Sequence, residues 1–281
     1  MEIQSVGVCG AGTMGSGIAQ VAAAAGFPVV LYELNEAVLE KARAGIAKGL
    51  QSLVDKGRLA EAERGAILGR IRFTGTLADC VADLIVEAII EKPEAKTALF
   101  TALAAQNAPT AIFASNTSSL SITDLARALP GPGRVAGLHF FNPAPLMKLV
   151  EVVKGAGTDS AVIDALERFT KACGKVPVLC ADAPGFIVNR VARPYYIEAL
   201  RLAEEGVPFD SIDRLLEARG FRMGPFKLMD LIGNDVNYAV STSVWTQLGQ
   251  PERLRPSDIQ KEKVAAGNLG KKTGRGYYEY S

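Results

Sequence analysis

The chain has 281 residues, of which 48% are apolar and 22% charged, and its formal net charge is +1. This length favours two domains with ample core, and the near-neutral charge gives no electrostatic footprint for nucleic acid or an anionic membrane. No basic segment followed by a long apolar run heads the chain, and no apolar run approaches the ~20 residues of a membrane helix, so a cytoplasmic protein is expected.

The first forty residues organise the rest. An apolar stretch, Val6 to Cys9, runs into Gly10-Ala11-Gly12-Thr13-Met14-Gly15, and an Ala-rich helical pattern follows from Ser16 to Ala25. Gly26 stops that helix, and Pro28 to Glu33 reads as a second strand closing on an acid. Strand, G-x-G-x-x-G turn, helix, strand and acid make a dinucleotide-binding arrangement. In it Gly10 permits the tight turn, Gly12 lets the backbone approach a pyrophosphate, and Gly15 lets helix and strand pack closely. The helix N-terminus, with Thr13 and Met14 in its first turn, offers free N–H groups to phosphates. Glu33 can accept from both ribose hydroxyls and would repel a 2′-phosphate, which favours NAD over NADP.

A long helix is predicted from Glu36 to about Asp55, ending at Lys56-Gly57, then a shorter one from Ala60 to Leu68 and a strand at Ile71 to Phe73. The cations Lys41, Arg43, Lys48, Lys56 and Arg58 read either as a solvated face or as a surface meeting the phosphates of a large substrate. Ala82 to Ile89 is a continuous apolar run, as in a parallel strand covered on both faces. Glu91 and Lys96 follow it, with a helix starting near Pro93. The next strand, Thr110 to Ala114, runs into Ser115-Asn116-Thr117-Ser118-Ser119. Ser121 suits the N-cap of a helix from Ile122 to Leu129, which leaves most of that polar cluster free to line a pocket.

Val135 to Phe141 is strand-like and contains His139, the one histidine of the chain, so a His-rich metal site is excluded and no metal is expected. Asn142-Pro143-Ala144-Pro145 breaks it. A strand at Leu149 to Val153 embeds Glu151, a helix runs from Asp159 to Cys173, and Lys175 to Cys180 is the last strand. The four cysteines, Cys9, Cys80, Cys173 and Cys180, form no C-x-x-C and read as buried thiols in a reducing compartment. Beyond Ala183-Pro184-Gly185 the pattern turns helical: Ile187 to Glu205, Pro208 to Arg219, Phe226 to about Leu248, and Pro256 to Ala266, with a Gly-punctuated extended tail. The expectation is an α/β, Rossmann-like domain over 1–183 followed by an all-α domain over 184–281.

Taken together, Gly10 to Gly15, Ser115 to Leu120, His139-Phe140-Phe141-Asn142-Pro143, Met147 to Val152, Pro184 to Arg190, Met223-Gly224-Pro225-Phe226 and Gly270 to Gly274 resemble the L-3-hydroxyacyl-CoA dehydrogenases over nearly the whole chain. The match is to single-function members of the 3-hydroxybutyryl-CoA type, since no hydratase-length segment precedes residue 1. The resemblance implies His139 as catalytic base and acid, Glu151 as its carboxylate partner, and Ser118 and Asn189 as substrate contacts. It implies NAD as cofactor, held by Glu33, Glu91, Lys96, Asn116 and Asn142 as well as the glycine turn. Lys56 resembles a lysine that meets coenzyme A phosphates. A homodimer formed through the helical domain is also implied.

The chemistry agrees independently. Oxidising a secondary alcohol needs a hydride acceptor and a base, and imidazole, with an ordinary pKa of about 6.5, serves both directions near neutral pH. A carboxylate on its far nitrogen fixes the tautomer, and Ser118 and Asn189 can hold an oxygen as charge develops. The stretch Gly220 to Asn237 resembles family members that oxidise 3-hydroxyadipyl-CoA, with Arg222 available for a distal carboxylate or for an ordinary ion pair. A non-catalytic NAD-binding protein is the rival of another class, and the intact set of Ser118, His139, Glu151 and Asn189 argues against it. Two-domain dehydrogenases that use a catalytic lysine lack the His-Phe-Phe-Asn-Pro run.

Overall fold

The computed structural model describes residues 1–280, in two compact units, Met1–Asp182 and the chain from Ala183 onward. The first unit contains β1 (Val6–Cys9), α1 (Thr13–Ala24), β2 (Val29–Tyr32), α2 (Glu36–Asp55), α3 (Glu61–Gly69), β3 (Ile71–Thr74), β4 (Leu84–Glu87) and α4 (Pro93–Gln106). It continues through β5 (Ile112–Ser115), α5 (Ile122–Arg127), β6 (Val135–Phe140), β7 (Leu149–Lys154), α6 (Ser160–Ala172) and β8 (Val176–Ala181). The strands form one eight-stranded sheet in the order β3-β2-β1-β4-β5-β6-β7-β8. The first six are parallel in the doubly wound order. β7 pairs antiparallel with β6, and β8 pairs parallel with β7. The chain therefore reverses in 141–148, where the two prolines stand.

Strand alternation assigns the faces. Val6, Val8, Leu84, Val86, Ile112, Ala114, Ala136, Leu138, Val150 and Val152 join one core with the buried sides of α1, α2 and α6. The intervening residues, among them Glu87, Ser115, His139 and Glu151, belong to the opposite face of the sheet. Polar groups at the strand ends of that face are the material of the site. Ser121 caps α5 as expected, its hydroxyl accepting from Asp124 N at 3.1 Å, and the Asp182 carboxylate accepts from the N–H groups of Ile122 and Thr123 at 3.0 and 2.8 Å. All four cysteines are free thiols, with Cys9, Cys80 and Cys180 buried.

The second unit is helical: α7 (Val188–Glu204), α8 (Phe209–Ala218), α9 (Pro225–Ile232), α10 (Asn234–Gln247) and α11 (Asp258–Ala265). The single helix expected from Phe226 to about Leu248 is two. Gly233 stands at φ +106°, outside the helical region, and an added Cβ there would come within 2.9 Å of Lys272 Nζ and of Asp235 Oδ1. Two buried carboxylates bind the unit together. Asp213 accepts from Phe226 N and Lys227 N at the start of α9 and from the Tyr278 hydroxyl. Asp230 accepts from Tyr277 N, Tyr278 N and the Tyr280 hydroxyl, which seats the tail on α9. No helix among the described residues is long and apolar enough to cross a membrane.

Candidate active site

The carboxyl ends of the parallel strands line up. Cys9 of β1 is paired with Glu87 of β4, Glu87 with Ser115 of β5, and Ser115 with Gly137 of β6. Each strand then leaves the sheet into a segment that carries candidate residues. The turn in strand order falls between β1 and β4, the place where doubly wound sheets bind ligands.

The three glycines of the turn differ in what they tolerate. Gly10 has φ +99°, and an added Cβ would lie 2.6 Å from Ala88 O. At Gly15 a Cβ would fall 1.7 Å from Gly10 O, so helix and strand could not close. At Gly12 it would meet nothing within 4 Å. Gly12 is exposed, and α1 begins there without a side-chain cap, so the N–H groups of its first turn, around Thr13 and Met14, are available to an anion. Glu33 reaches this turn. Its Oε2 accepts from Ala11 N at 3.0 Å and its Oε1 from Asn35 N at 3.1 Å, which leaves each oxygen a further lone pair for a diol.

His139 and Glu151 face one another across the β6–β7 ladder. Nδ1 of the imidazole and Oε2 of the carboxylate are 2.6 Å apart, with side chains 7% and 1% exposed. The carboxylate can only accept, so Nδ1 carries the proton. Antiparallel pairing is what brings together residues twelve apart in the chain. Phe141 packs its ring 4.5 Å from the imidazole. The Asn116 side chain accepts from Phe140 N at 2.8 Å, which ties the segment after β5 to the backbone beside His139. Asn142 is exposed at the start of the following loop, and the buried Lys175 secures that loop by donating to the carbonyls of Ala144, Pro145 and Met147.

The polar cluster after β5 is less open than its composition suggested. Ser115 and Thr117 are buried and serve an internal network, and only Asn116, Ser118 and Leu120 are half-buried. Glu87, which the sequence reading passed over, is the hub. It accepts from Lys96 Nζ at 2.6 Å, Ser115 Oγ at 2.6 Å and Ile89 N at 2.7 Å. Lys96 is 1% exposed and also reaches Glu91 Oε2 at 3.0 Å. The other Glu91 oxygen accepts from the Thr117 hydroxyl and from Ser118 N, the latter at 3.2 Å. The signal for Glu87 was an acid closing an apolar strand with a lysine nine residues on.

Asn189 lies in the first turn of α7 in the second unit, where the buried Arg193 donates to its carbonyl at 2.9 Å and to Ser241 Oγ at 2.7 Å. Burial pushes the Arg193 guanidinium down to about 10. Lys56 is the exposed C-cap of α2.

The family model for the NAD binding domain of 3-hydroxyacyl-CoA dehydrogenase matches residues 5–183, and that for the C-terminal domain matches residues 185–280. The 3-hydroxyadipyl-CoA dehydrogenase of Escherichia coli (strain K12) is 49% identical over 283 residues, a match covering 100% of this chain and 60% of that protein. This chain thus spans about 60% of the length of that relative. The 3-hydroxybutyryl-CoA dehydrogenase of Mycobacterium tuberculosis is 40% identical, with 99% of each chain covered. The crystal structure of (S)-3-hydroxybutyryl-CoA dehydrogenase from Ralstonia eutropha is 38% identical, covers 100% of both chains and superposes with a TM-score of 0.95.

Proposed function

We infer the reaction from family and site together: this chain belongs to the 3-hydroxyacyl-CoA dehydrogenase family, and its residues suit the NAD-dependent, reversible oxidation of an L-3-hydroxyacyl-CoA to a 3-oxoacyl-CoA. The observation that carries this reading is the buried His139–Glu151 pair at the carboxyl end of the dinucleotide-binding sheet. With Nδ1 engaged by Glu151, proton exchange with the substrate falls to Nε2. His139 takes the 3-hydroxyl proton as hydride leaves C3, and returns it in the reverse direction. Glu151 holds the ring in one tautomer and stabilises the imidazolium.

NAD supplies the hydride acceptor. The glycine turn and the first turn of α1 would hold its pyrophosphate, and Glu33 would take the ribose hydroxyls. Glu91, Lys96, Asn116 and Asn142 would complete its contacts, the buried Lys96 acting through Glu91. Ser118 and, from the helical unit, Asn189 hold substrate oxygen. Lys56 meets the coenzyme A phosphates. In this reading residues 1–183 bind cofactor, and 184–281 contribute substrate contacts and form a homodimer. Exposed apolar side chains on the helical unit, Val191, Leu231 and Val236, support that assembly. The cytoplasm is the expected compartment.

3-Hydroxybutyryl-CoA is the proposed substrate. A second reading, 3-hydroxyadipyl-CoA, has an observation in its favour. Arg222 lies among Tyr195, Phe221, Met223 and Leu228 on an apolar groove of about 800 Å³ and makes no ion pair among the described residues. Comparing kcat/KM on the two CoA esters decides between them. A preference for the six-carbon diacid that vanishes in Arg222→Gln supports the second reading, and equal or better use of hydroxybutyryl-CoA supports the first. Sedimentation velocity tests the dimer.

A further inference from the structure

We propose that Glu87 and Lys96 are positioning residues for the reaction: their buried ion pair fixes Glu91, and through Glu91 the backbone of the turn that carries Ser118. The inference rests on the reading above, in which Ser118 touches the substrate.

The geometry is a relay from a rigid element to a loop. Glu87 is the last residue of β4, fully buried and hydrogen-bonded across the sheet to Ser115 of β5. Lys96, on the first turns of α4, bridges it at 2.6 Å to Glu91 at 3.0 Å. Glu91 stands on the connecting segment with its side chain 39% exposed, and the Lys96 ammonium holds its Oε2 in place against the pull of water. Its other oxygen receives Thr117 Oγ1 and Ser118 N. Thr117 Oγ1 in turn accepts from Ser119 N at 3.2 Å and Leu120 N at 2.9 Å, so Glu91 and this hydroxyl together fix Ser118, Ser119 and Leu120.

A buried ion pair is a poor device for stability alone, because desolvating both charges offsets much of their attraction. Here it does something an apolar pair could not. It holds one carboxylate, that of Glu91, between the segment after β4 and the segment after β5. Small displacements of a group that orients a reacting substrate are costly, so fixing this turn to a strand end serves turnover.

A double-mutant cycle tests the relay. Glu87→Gln keeps the shape and removes the charge at the first link, and Thr117→Val keeps the shape and removes the hydroxyl at the last. Each should lower kcat on a 3-hydroxyacyl-CoA by about tenfold to a hundredfold, from misplaced substrate contacts. Glu91 is also a proposed NAD contact, so kcat is taken at saturating NAD⁺, and a kcat that returns to the parent value there overturns the proposal. Because both act through one path, the double variant should lose no more than the worse single variant. Losses that multiply, or a lowered melting temperature with unchanged kcat, overturn the proposal. Should Glu87→Gln fail to fold, the charge-free Glu87→Leu/Lys96→Met replacement keeps the core filled and still releases Glu91. A parent-like kcat in that folded variant overturns the proposal as well. A parent enzyme that oxidises no 3-hydroxyacyl-CoA refutes the reaction assigned above and this inference with it, whereas an active parent with multiplying losses refutes the relay alone.

Discussion

Replacing Glu151 by Gln keeps volume and removes one charge from a pair whose members are almost wholly buried. The imidazole nitrogen and carboxylate oxygen are 2.6 Å apart, with exposures of 7% and 1%. When His139 takes the substrate proton it becomes an imidazolium facing that carboxylate. With charge centres about 4 Å apart and an effective dielectric near 20, the attraction is roughly 4 kcal/mol. Losing it in the transition state corresponds to about a thousandfold in kcat. A neutral amide can also present N–H to Nδ1, which would favour the wrong tautomer and deepen the loss. The assay is NADH formation at 340 nm with saturating NAD⁺ and L-3-hydroxybutyryl-CoA, alongside an NADH fluorescence titration. Cofactor affinity should match the parent, because Glu33 and the glycine turn are unchanged. A folded Glu151→Gln enzyme whose kcat lies within about tenfold of the parent would refute the electrostatic role.

The glycine turn gives a paired prediction. Gly15→Ala drives a Cβ to 1.7 Å from Gly10 O and should cost about 1–3 kcal/mol of stability along with NAD binding. Gly12→Ala, whose Cβ meets no protein atom within 4 Å, should melt like the parent and still bind NADH weakly. Equal melting of both variants would contradict the reading of the turn. Glu33→Ala removes an acceptor for the ribose and should raise the KM for NAD⁺ about tenfold or more while narrowing discrimination against NADP⁺. An unchanged NAD⁺/NADP⁺ ratio would count against it. Burial, with neighbouring carboxylates, pushes the Tyr195 hydroxyl up to about 12 and raises Tyr277, Tyr278 and Tyr280 also. The fold thus retains protons that the unfolded chain releases near pH 10, so stability holds below pH 10 and falls as pH rises from there toward 12. Denaturant midpoints across that range, with tyrosinate absorbance at 295 nm, check the sign. A midpoint rising with pH would be wrong.

Motifs whose function depends on local spacing are legible in the sequence itself. The turn at Gly10 to Gly15 states its own geometry, because only glycine meets the left-handed φ at Gly10 and the contact at Gly15. Glu33 follows as the acid that closes β2. His139 and Glu151 were recognisable as a pair by resemblance, but the reason they meet is the reversal of β7, which no local pattern announces. Tertiary arrangement hid the rest. Lys96 reads in sequence as a residue that holds NAD and is 1% exposed between two carboxylates. Ser115 and Thr117 read as pocket-lining residues and are consumed by the network around Glu87. Gly233 lies inside a helical pattern, and its φ of +106°, with Lys272 Nζ 2.9 Å from where a Cβ would stand, ends the helix there. These features depend on side chains far apart in the chain, so periodicity and propensity carry no trace of them.

The central claim is that His139 moves the proton of the alcohol while NAD⁺ takes the hydride. Turnover of His139→Gln on L-3-hydroxybutyryl-CoA, measured at 340 nm beside its NADH dissociation constant, tests that claim most directly. The account predicts parent-like NADH binding with kcat reduced by about a hundredfold to ten-thousandfold, the share general acid–base catalysis supplies. A His139→Gln enzyme that forms NADH at the parent rate would contradict it.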